Sequence, residues 1–382
     1  MSAIVGKRTL KGMVMGWIAT TAAGFAAAFA LAGAAQAQCT YSAGAATIAV
    51  PGKPFAVEAT ADGCWLFAAL TEGAPGGGGA VAVLKNDGGG FRLVRVVPVR
   101  GQPGGLTLTH DGRTLIVAAW TSVERLDVAK LQTPSASPVL ETIAVEKDAH
   151  AVYVATSLDD RLLFISQEGL ARIDVVQLAP GGDLALGAID TGRAPVGLVL
   201  SADGTRLYAT SQVAPDASGF PKRCKPPTPG PDRSLGALAV IDVKRAAASP
   251  ESSVLALVAA GCSPVRVALS PDGASAWVTA RGDNALLQFS TGRIADPPQV
   301  TAVGPAPVGV TPRPDGKEVW VSNSDRFSSA GAGFLSMVRA AGGAGRTAPS
   351  GRFPRDMRFL PDGRTLVVAE FDSHALQLVP TD

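Results

Sequence analysis

Short apolar runs alternate with Asp-Gly pairs along most of the chain. Beyond residue 45, runs of four to six residues, many of them β-branched, are bounded by glycine and proline. Residues 265–269 form one such run, Asp272-Gly273 follows, and residues 276–279 form the next. Runs this short predict β-strands, because amphipathic helices need a longer 3.6-residue period. Glycine accepts the positive φ of a tight turn, so each Asp-Gly pair predicts a hairpin.

The hairpin unit recurs seven times, and its third copy is the degenerate Asp159-Asp160. The seven anchoring aspartates are Asp62, Asp111, Asp159, Asp203, Asp272, Asp315 and Asp362, at intervals of 49, 48, 44, 69, 43 and 47 residues. A proline lies eight residues before the aspartate in every copy except the third, where Ala151 takes its place. A period of 40–50 residues with several strands per unit is typical of a β-propeller. The sequence therefore predicts an all-β, seven-bladed β-propeller, with strands a to d in each blade.

The two ends of the repeat are complementary. After residues 375–379 only three residues remain, so the seventh unit has no fourth strand of its own. Residues 46–50 form an apolar run that precedes the first unit. We predict that this N-terminal strand closes the last blade, which removes an open sheet edge. The long interval contains residues 214–234, a proline-rich stretch that predicts an insertion loop in blade 4.

The first 37 residues have the pattern of an export signal. Lys7, Arg8 and Lys11 precede an apolar stretch from about residue 13 to residue 35, and Ala35-Gln36-Ala37 is a small-residue cleavage site. The pattern predicts a signal peptide over 1–37 and a single propeller domain over 38–382, located in the periplasm or secreted. An uncleaved membrane anchor is the alternative.

Charge and residue usage exclude several classes of protein. The formal net charge is +2, and it becomes −1 without the three cationic residues of the first 37. A near-neutral chain has no electrostatic reason to bind nucleic acid, so we expect no nucleic-acid partner. Three scattered histidines and four cysteines without a CxxC pair predict no metal site, and no motif indicates a cofactor.

Strand direction sorts the cysteines onto two faces. The Asp-Gly turns between strands a and b share one face, here the lower face, whereas the b–c and d–a loops share the upper face. Cys39 and Cys64 fall on the lower face, and Cys224 and Cys262 fall on the upper face. We therefore predict disulfides Cys39–Cys64 and Cys224–Cys262, because other pairings exceed a Cα separation of about 7 Å. Free buried cysteines are the alternative.

Two stretches carry a resemblance to known propellers. Residues 195–204, followed by Leu207-Tyr208-Ala209-Thr210, resemble the YVTN-type seven-bladed propeller repeat. In the last blade, residues 353–356 and 361–363 with Val367-Val368-Ala369-Glu370 are similar to the seven-bladed lactonase family of the 6-phosphogluconolactonase type. Arg355 and Glu370 match that family's pattern, while Asp356 stands where His or Asn is usual and Ala369 replaces Asn. The resemblance implies a propeller fold and, as the alternative function, a lactonase activity.

A polar set is predicted where the innermost strands begin. Two residues after the proline position, four blades carry Ala or Gly, and the other three carry Tyr153, Arg266 and Asp356. With Arg355, Glu370, Arg193 and His150 these side chains form a candidate site at the channel mouth, listed by role as follows. The catalytic candidates are Arg355 as oxyanion stabiliser and Glu370 or Asp356 as general base; the ligand-binding candidates are Tyr153, Arg193, Arg266 and His150. A structural network of ion pairs is the alternative.

The longer loops indicate where a function resides. Three elaborated loops, 71–79, 214–234 and 323–333, are b–c connections and therefore share the upper face. The sequence thus predicts an exported scaffold that binds a protein or a small anionic or sugar-like ligand through this face. A lactone hydrolase is the alternative function. Trp65, Trp120, Trp277 and Trp320 are expected between blades rather than at a ligand site.

Overall fold

The computed structural model is a ring of seven small antiparallel β-sheets. It describes residues 39–41, 44–134, 136–179, 181–224, 233–325 and 331–382, so the predicted signal peptide lies outside the described residues. The innermost strand of each blade contacts the innermost strands of both neighbouring blades, which closes the ring around a central channel. The predicted all-β, seven-bladed β-propeller is confirmed.

Each blade pairs its strands in the order a to d, from the channel outward. Blades 1 to 3 consist of Pro54–Ala59, Trp65–Leu70, Ala80–Asn86 and Phe91–Pro98; Leu106–Leu108, Thr114–Ala118, Ser122–Asp127 and Val139–Ala144; and Ala151–Thr156, Leu162–Gln167, Arg172–Gln177 and Leu184–Ile189. Blades 4 and 5 consist of Arg193–Leu200, Arg206–Val213, Arg233–Asp242 and Val254–Cys262; and Pro264–Leu269, Ser275–Ala280, Ala285–Ser290 and Gln299–Ala302. Blade 6 consists of Pro307–Pro312, Glu318–Asn323, Phe334–Arg339 and Ala344–Pro349.

Blade 7 takes its outer strand from the other end of the chain. Its own strands are Pro354–Phe359, Thr365–Glu370 and Ala375–Pro380, and Ala46–Ala49 pairs antiparallel with the last of these. Ala46 lies opposite Leu378, and Ala49 lies opposite Ala375. The predicted closure of the ring by an N-terminal strand is confirmed.

Short helical turns connect some strands c and d. Helix α1, Val128–Leu131, follows strand c of blade 2, and helix α2, Val243–Ala248, follows strand c of blade 4. Each begins after an aspartate, Asp127 or Asp242, whose carboxylate accepts the amide proton of the third residue on. The 3-10 helices are Asp216–Ser218, Pro250–Ser252, Thr291–Arg293 and Phe371–Ser373. In blade 4, Arg223–Cys224 adds a two-residue strand beside Arg233–Asp242.

The Asp-Gly turns are locally self-sufficient. Gly204 adopts φ of 70°, and Asp160 adopts φ of 55° in the degenerate third copy. The Asp203 carboxylate accepts hydrogen bonds from Ser201 Oγ and from the backbone and side chain of Thr205. These bonds, the Ser201 bond first, lower the pKa of Asp203 to about 2. Each turn is thus stabilised by neighbours within five residues.

In some blades, a buried Ser or Thr hydroxyl on strand b forms a hydrogen bond to the next blade. A β-bulge after the proline position interrupts the pairing of strands a and b, for example in blades 4 and 5. The backbone amide two residues after that position then has no partner in the sheet and needs another acceptor. Thr210 Oγ1 accepts from Gly197 N at 3.0 Å and donates to Val265 O of the next blade at 2.7 Å. Ser166, Thr279 and Ser322 also accept the corresponding amide protons in blades 3, 5 and 6. Blades 7, 1 and 2 carry alanine instead, at Ala369, Ala69 and Ala118.

Both predicted disulfides are present. The Cα separation is 5.0 Å for Cys39–Cys64 and 5.8 Å for Cys224–Cys262. Two disulfides indicate an oxidising environment. In the part of the chain that the structure describes, no helix is long and apolar enough to cross a membrane. Trp277 and Trp320 are buried between blades, as expected.

Candidate functional site

Three of the predicted polar residues meet at the channel axis. Arg266 of blade 5 places Nη2 at 2.8 Å from Asp356 Oδ1 of blade 7, and its Cζ lies 3.5 Å from the ring centroid of Tyr153 in blade 3. The intervening blades carry Gly309 and Gly197 at the same level, which leaves room for these contacts. Asp356 Oδ2 also accepts the amide proton of Val57 in blade 1. We call Tyr153, Arg266, Asp356 and Arg355 the axial cluster.

Arg355, the fourth residue of this cluster, packs against the aromatic rings of Phe55 and Phe371. Its Cζ lies 3.6 Å from the ring centroid of Phe55 and 5.4 Å from that of Phe371. Burial raises the pKa of Tyr153 to about 12, although the nearby Arg266 opposes this rise. Tyr153 therefore stays a neutral phenol at physiological pH.

An apolar layer lies between the axial cluster and the upper face. The residue that follows the proline position is Val196, Val265 or Val308 in blades 4 to 6, and all three share one buried cluster with Phe55 and Phe353. Strand a runs from the upper to the lower face, so this layer is nearer the upper surface than Tyr153, Arg266 and Asp356. The sequence-based expectation of an open polar mouth therefore needs correction: the cluster lies beneath packed side chains.

Glu370 and Arg193 have partners elsewhere. The Glu370 carboxylate accepts hydrogen bonds from Gly351 N at 2.5 Å and Ser350 Oγ at 3.2 Å, which fixes the loop that enters blade 7. Burial raises the pKa of Glu370. Arg193 is exposed and lines a separate cavity of about 420 Å³ beside residues 214–223 of the insertion. The structure does not gather these two residues with the axial cluster.

His150 stacks on Trp120 at the upper end of blade 3. Their ring centroids are 4.2 Å apart, with an interplanar angle of 17°. Both residues have positive φ, 55° for His150 and 63° for Trp120. The positive φ of His150 is a feature of the repeat, because its counterparts Ala194, Ser263, Ala306 and Phe353 in blades 4 to 7 also have it. Trp120 packs against the core, as expected, but it is only partly buried and also lines a cleft on the upper face.

This cleft, the upper cleft, has a volume of about 460 Å³. Its lining consists of Lys53, Phe55, Thr71, Glu72, Gly78, Gln102, Pro103, Gly104, Trp120, Ala151, Val152 and Phe371. Lys53 Nζ lies 3.3 Å from Glu72 Oε1 and 5.7 Å from the ring centroid of Phe371. Three aromatic rings and one exposed ion pair thus line a concave surface of a size suited to a small organic molecule.

Sequence reasoning missed the main residues of the upper cleft. Phe55 follows the proline position, where blades 3 to 6 carry valine, and this departure from the repeat was the available signal. Phe371 follows Glu370 in the b–c connection of blade 7. Lys53 lies in the loop that leads into blade 1. Their proximity depends on the ring placing blades 7, 1 and 2 side by side.

Comparison with known proteins supports the fold. No family model and no curated protein matches this chain. Hydrazine synthase from Kuenenia stuttgartiensis matches with a TM-score of 0.65 at 17% identity, covering 87% of this chain and 97% of that one. A chain of a mitotic checkpoint complex matches with 0.66 at 15%, covering 88% and 93%. The Cps50 (Swd1) propeller domain from Myceliophteria thermophila matches with 0.65 at 14%, covering 88% and 100%. Identities this low show the fold alone, so the comparisons support a seven-bladed β-propeller.

Proposed function

We propose that this chain is an exported β-propeller that binds a small anionic or sugar-like ligand in the upper cleft. The observation that carries the proposal is the cleft itself, where three aromatic rings face a lysine–glutamate pair. Export is supported by the N-terminal signal pattern and by the two disulfides. Binding is the role that a preformed, aromatic-lined cleft supports best.

The lining indicates the chemistry of the ligand. Trp120, Phe55 and Phe371 offer apolar ring faces, on which a sugar ring or another flat body can stack. Lys53 is partly exposed and can exchange its ion pair with Glu72 for a carboxylate of the ligand. The Glu72 carboxylate can then accept hydrogen bonds from ligand hydroxyl groups. A sugar acid satisfies all three requirements.

Lactone hydrolysis has less support from the geometry. A general base must reach the proton that it removes. The Asp356 carboxylate is held by Arg266 and by the Val57 amide, and the Glu370 carboxylate is held by Gly351 and Ser350. Arg355 lies behind Phe55 and Phe371, away from the cleft lining. These contacts favour structural roles for the three candidate catalytic residues.

Calorimetric titration of the purified protein with sugar acids, their neutral sugars and their lactones tests the proposal. We expect a sugar acid to bind, and Lys53→Ala to weaken it by about tenfold or more, since one charge-assisted contact is lost. Lys85→Ala is the matched control. Like Lys53, Lys85 lies over an aromatic ring, with Nζ 5.5 Å from the ring centroid of Trp65, but it is outside the cleft.

The outcomes separate the two functions. Equal loss in Lys53→Ala and Lys85→Ala, or no binding by any compound, would overturn the proposed site. Lactone turnover that disappears in both Arg355→Ala and Glu370→Gln would establish the hydrolase instead.

A further inference from the structure

A second polar level lies deeper in the channel. Tyr153, Arg266 and Asp356 lie two residues after the proline position of their blades. Because side chains of a strand alternate between its two faces, the residue two positions further along strand a points in the same direction. Most of these side chains are small or uncharged, but adjacent blades 1 and 7 carry Glu58 and Arg358. The Arg358 guanidinium forms an ion pair with the Glu58 carboxylate through Nη2.

Arg358 is accessible despite its position on an innermost strand. Its side chain is 47% exposed, whereas that of Glu58 is 11% exposed. Within the described residues, Glu58 is the only hydrogen-bond acceptor for Arg358, so the other guanidinium N–H groups have no protein acceptor there. Because the upper end of the channel is filled by the valine and phenylalanine layer, this accessibility comes from the lower face.

The charge of Arg358 is only partly balanced. Asp356, the other nearby carboxylate, is already paired with Arg266 at 2.8 Å. Burial raises the pKa of Glu58, because a desolvated carboxylate is less stable, although the charge of Arg358 opposes this rise. The same level also carries Thr311 in blade 6, next to Arg358, and Thr107 in blade 2, next to Glu58. A guanidinium that keeps unused N–H donors is a suitable partner for an oxyanion.

We infer that the lower half of the central channel binds a small oxyanion at Arg358, either an inorganic anion or the carboxylate of a small acid. The guanidinium donates through the N–H groups that Glu58 does not use. Glu58 opposes binding by repulsion and by competing for the same guanidinium. This site is independent of the upper cleft and of the function proposed for it.

Titration calorimetry with sodium sulfate, phosphate and acetate, each against chloride at equal ionic strength, tests the inference on the purified chain. We expect sulfate or phosphate to bind if the site takes an inorganic anion, and acetate to bind better if it takes a carboxylate. Arg358→Gln should abolish binding, and Glu58→Gln should tighten it by about tenfold because a competing charge is removed. Arg364→Gln, an exposed arginine of the same blade, should leave binding unchanged.

Arg358→Gln leaves Glu58 without its ion-pair partner and can lose stability. The double variant Glu58→Gln/Arg358→Gln removes both charges and provides a folded comparison, verified by circular dichroism. Binding retained in that double variant, or no binding by both the wild type and Glu58→Gln, would overturn the inference. An unchanged affinity in Glu58→Gln would also contradict it, because the carboxylate would then not compete for Arg358.

Discussion

Small and large residues alternate around the channel for a steric reason. Tyr153 occupies the space beside Gly105, where an added Cβ would lie 2.0 Å from the tyrosine Cδ1. Gly197 and Gly309 are equally confined by neighbouring backbone, and Arg266 spans both. The glycines therefore make room for three large polar side chains. This arrangement explains why the axial cluster exists although only three of seven blades contribute to its level.

Glu370 provides a residue-scale prediction about how stability depends on pH. Burial raises the pKa of Glu370 in the folded protein above 4.5, its value in the unfolded chain. The folded state therefore binds the proton more tightly than the unfolded state does. The wild type should therefore lose stability relative to Glu370→Gln as pH rises above about 4.5. Urea unfolding at pH 4, 5, 6 and 7 measures the difference. A difference that is constant with pH, or that grows in favour of the wild type, would contradict this prediction.

At the scale of strands, the hydroxyl links divide the ring into two sectors. Blades 3 to 6 use Ser166, Thr210, Thr279 and Ser322 to satisfy the amide freed at the bulge. In blade 7 the equivalent position is Ala369, and the Asp356 carboxylate accepts from a different amide, Val57 N of blade 1. The three blades with alanine at this position are consecutive, and they supply most of the upper-cleft lining, with Ala151 and Val152 of blade 3 at its edge. The four hydroxyl-linked blades therefore carry a buried connection that the other three lack.

Thr210→Val tests the contribution of one link. The substitution keeps the shape of the side chain but leaves Gly197 N and Val265 O without their buried partner. We expect a loss of about 1–3 kcal/mol of unfolding free energy. Thr301→Val, in the outer strand of blade 5, is the control and should change stability by less than about 0.5 kcal/mol. Equal effects in chemical denaturation would show that the link does not matter.

At the scale of the molecule, two features of the N-terminal segment hold blades 7 and 1 together. The strand Ala46–Ala49 pairs with the last strand of blade 7, and the Cys39–Cys64 bridge ties the segment before it to blade 1. Cys39 N also donates to Asp62 O at 2.8 Å, at the Asp-Gly turn of blade 1. The Cys224–Cys262 bridge instead fastens the insertion loop to the end of strand d in blade 4. One bridge thus secures the ring and the other secures a loop.

The two bridges should therefore differ in their effect on stability. Loop entropy alone predicts the larger contribution for Cys224–Cys262, which spans 38 residues against 25 for Cys39–Cys64. We expect the reverse: Cys39→Ser/Cys64→Ser should cost about 3 kcal/mol or more, and Cys224→Ser/Cys262→Ser should cost less. Calorimetric unfolding measures both variants. Limited proteolysis should show faster cleavage within residues 214–234 only in the second variant, and a larger loss of stability in that variant would contradict the prediction.

The sequence by itself determined the fold, the number of blades, the closing strand and both disulfides. These features follow from local signals repeated along the chain: the Asp-Gly turns, the proline eight residues earlier and the direction of each strand. Turn chemistry acts within a few residues, as Asp203 and its neighbours show, so it can be read without the tertiary structure. Repetition then fixes the ring, because equivalent units must pack in equivalent ways.

Only the tertiary structure decided which side chains meet. Lys53, Trp120 and Phe371 lie in different blades and far apart in sequence, and their common cleft exists because the closed ring brings blade 7 against blade 1. The same closure pairs Glu58 with Arg358 across 300 residues. Glu370 matched a family motif, but its carboxylate bonds to a loop that the motif does not include. Contacts across the ring depend on three-dimensional packing, and no local pattern specifies them.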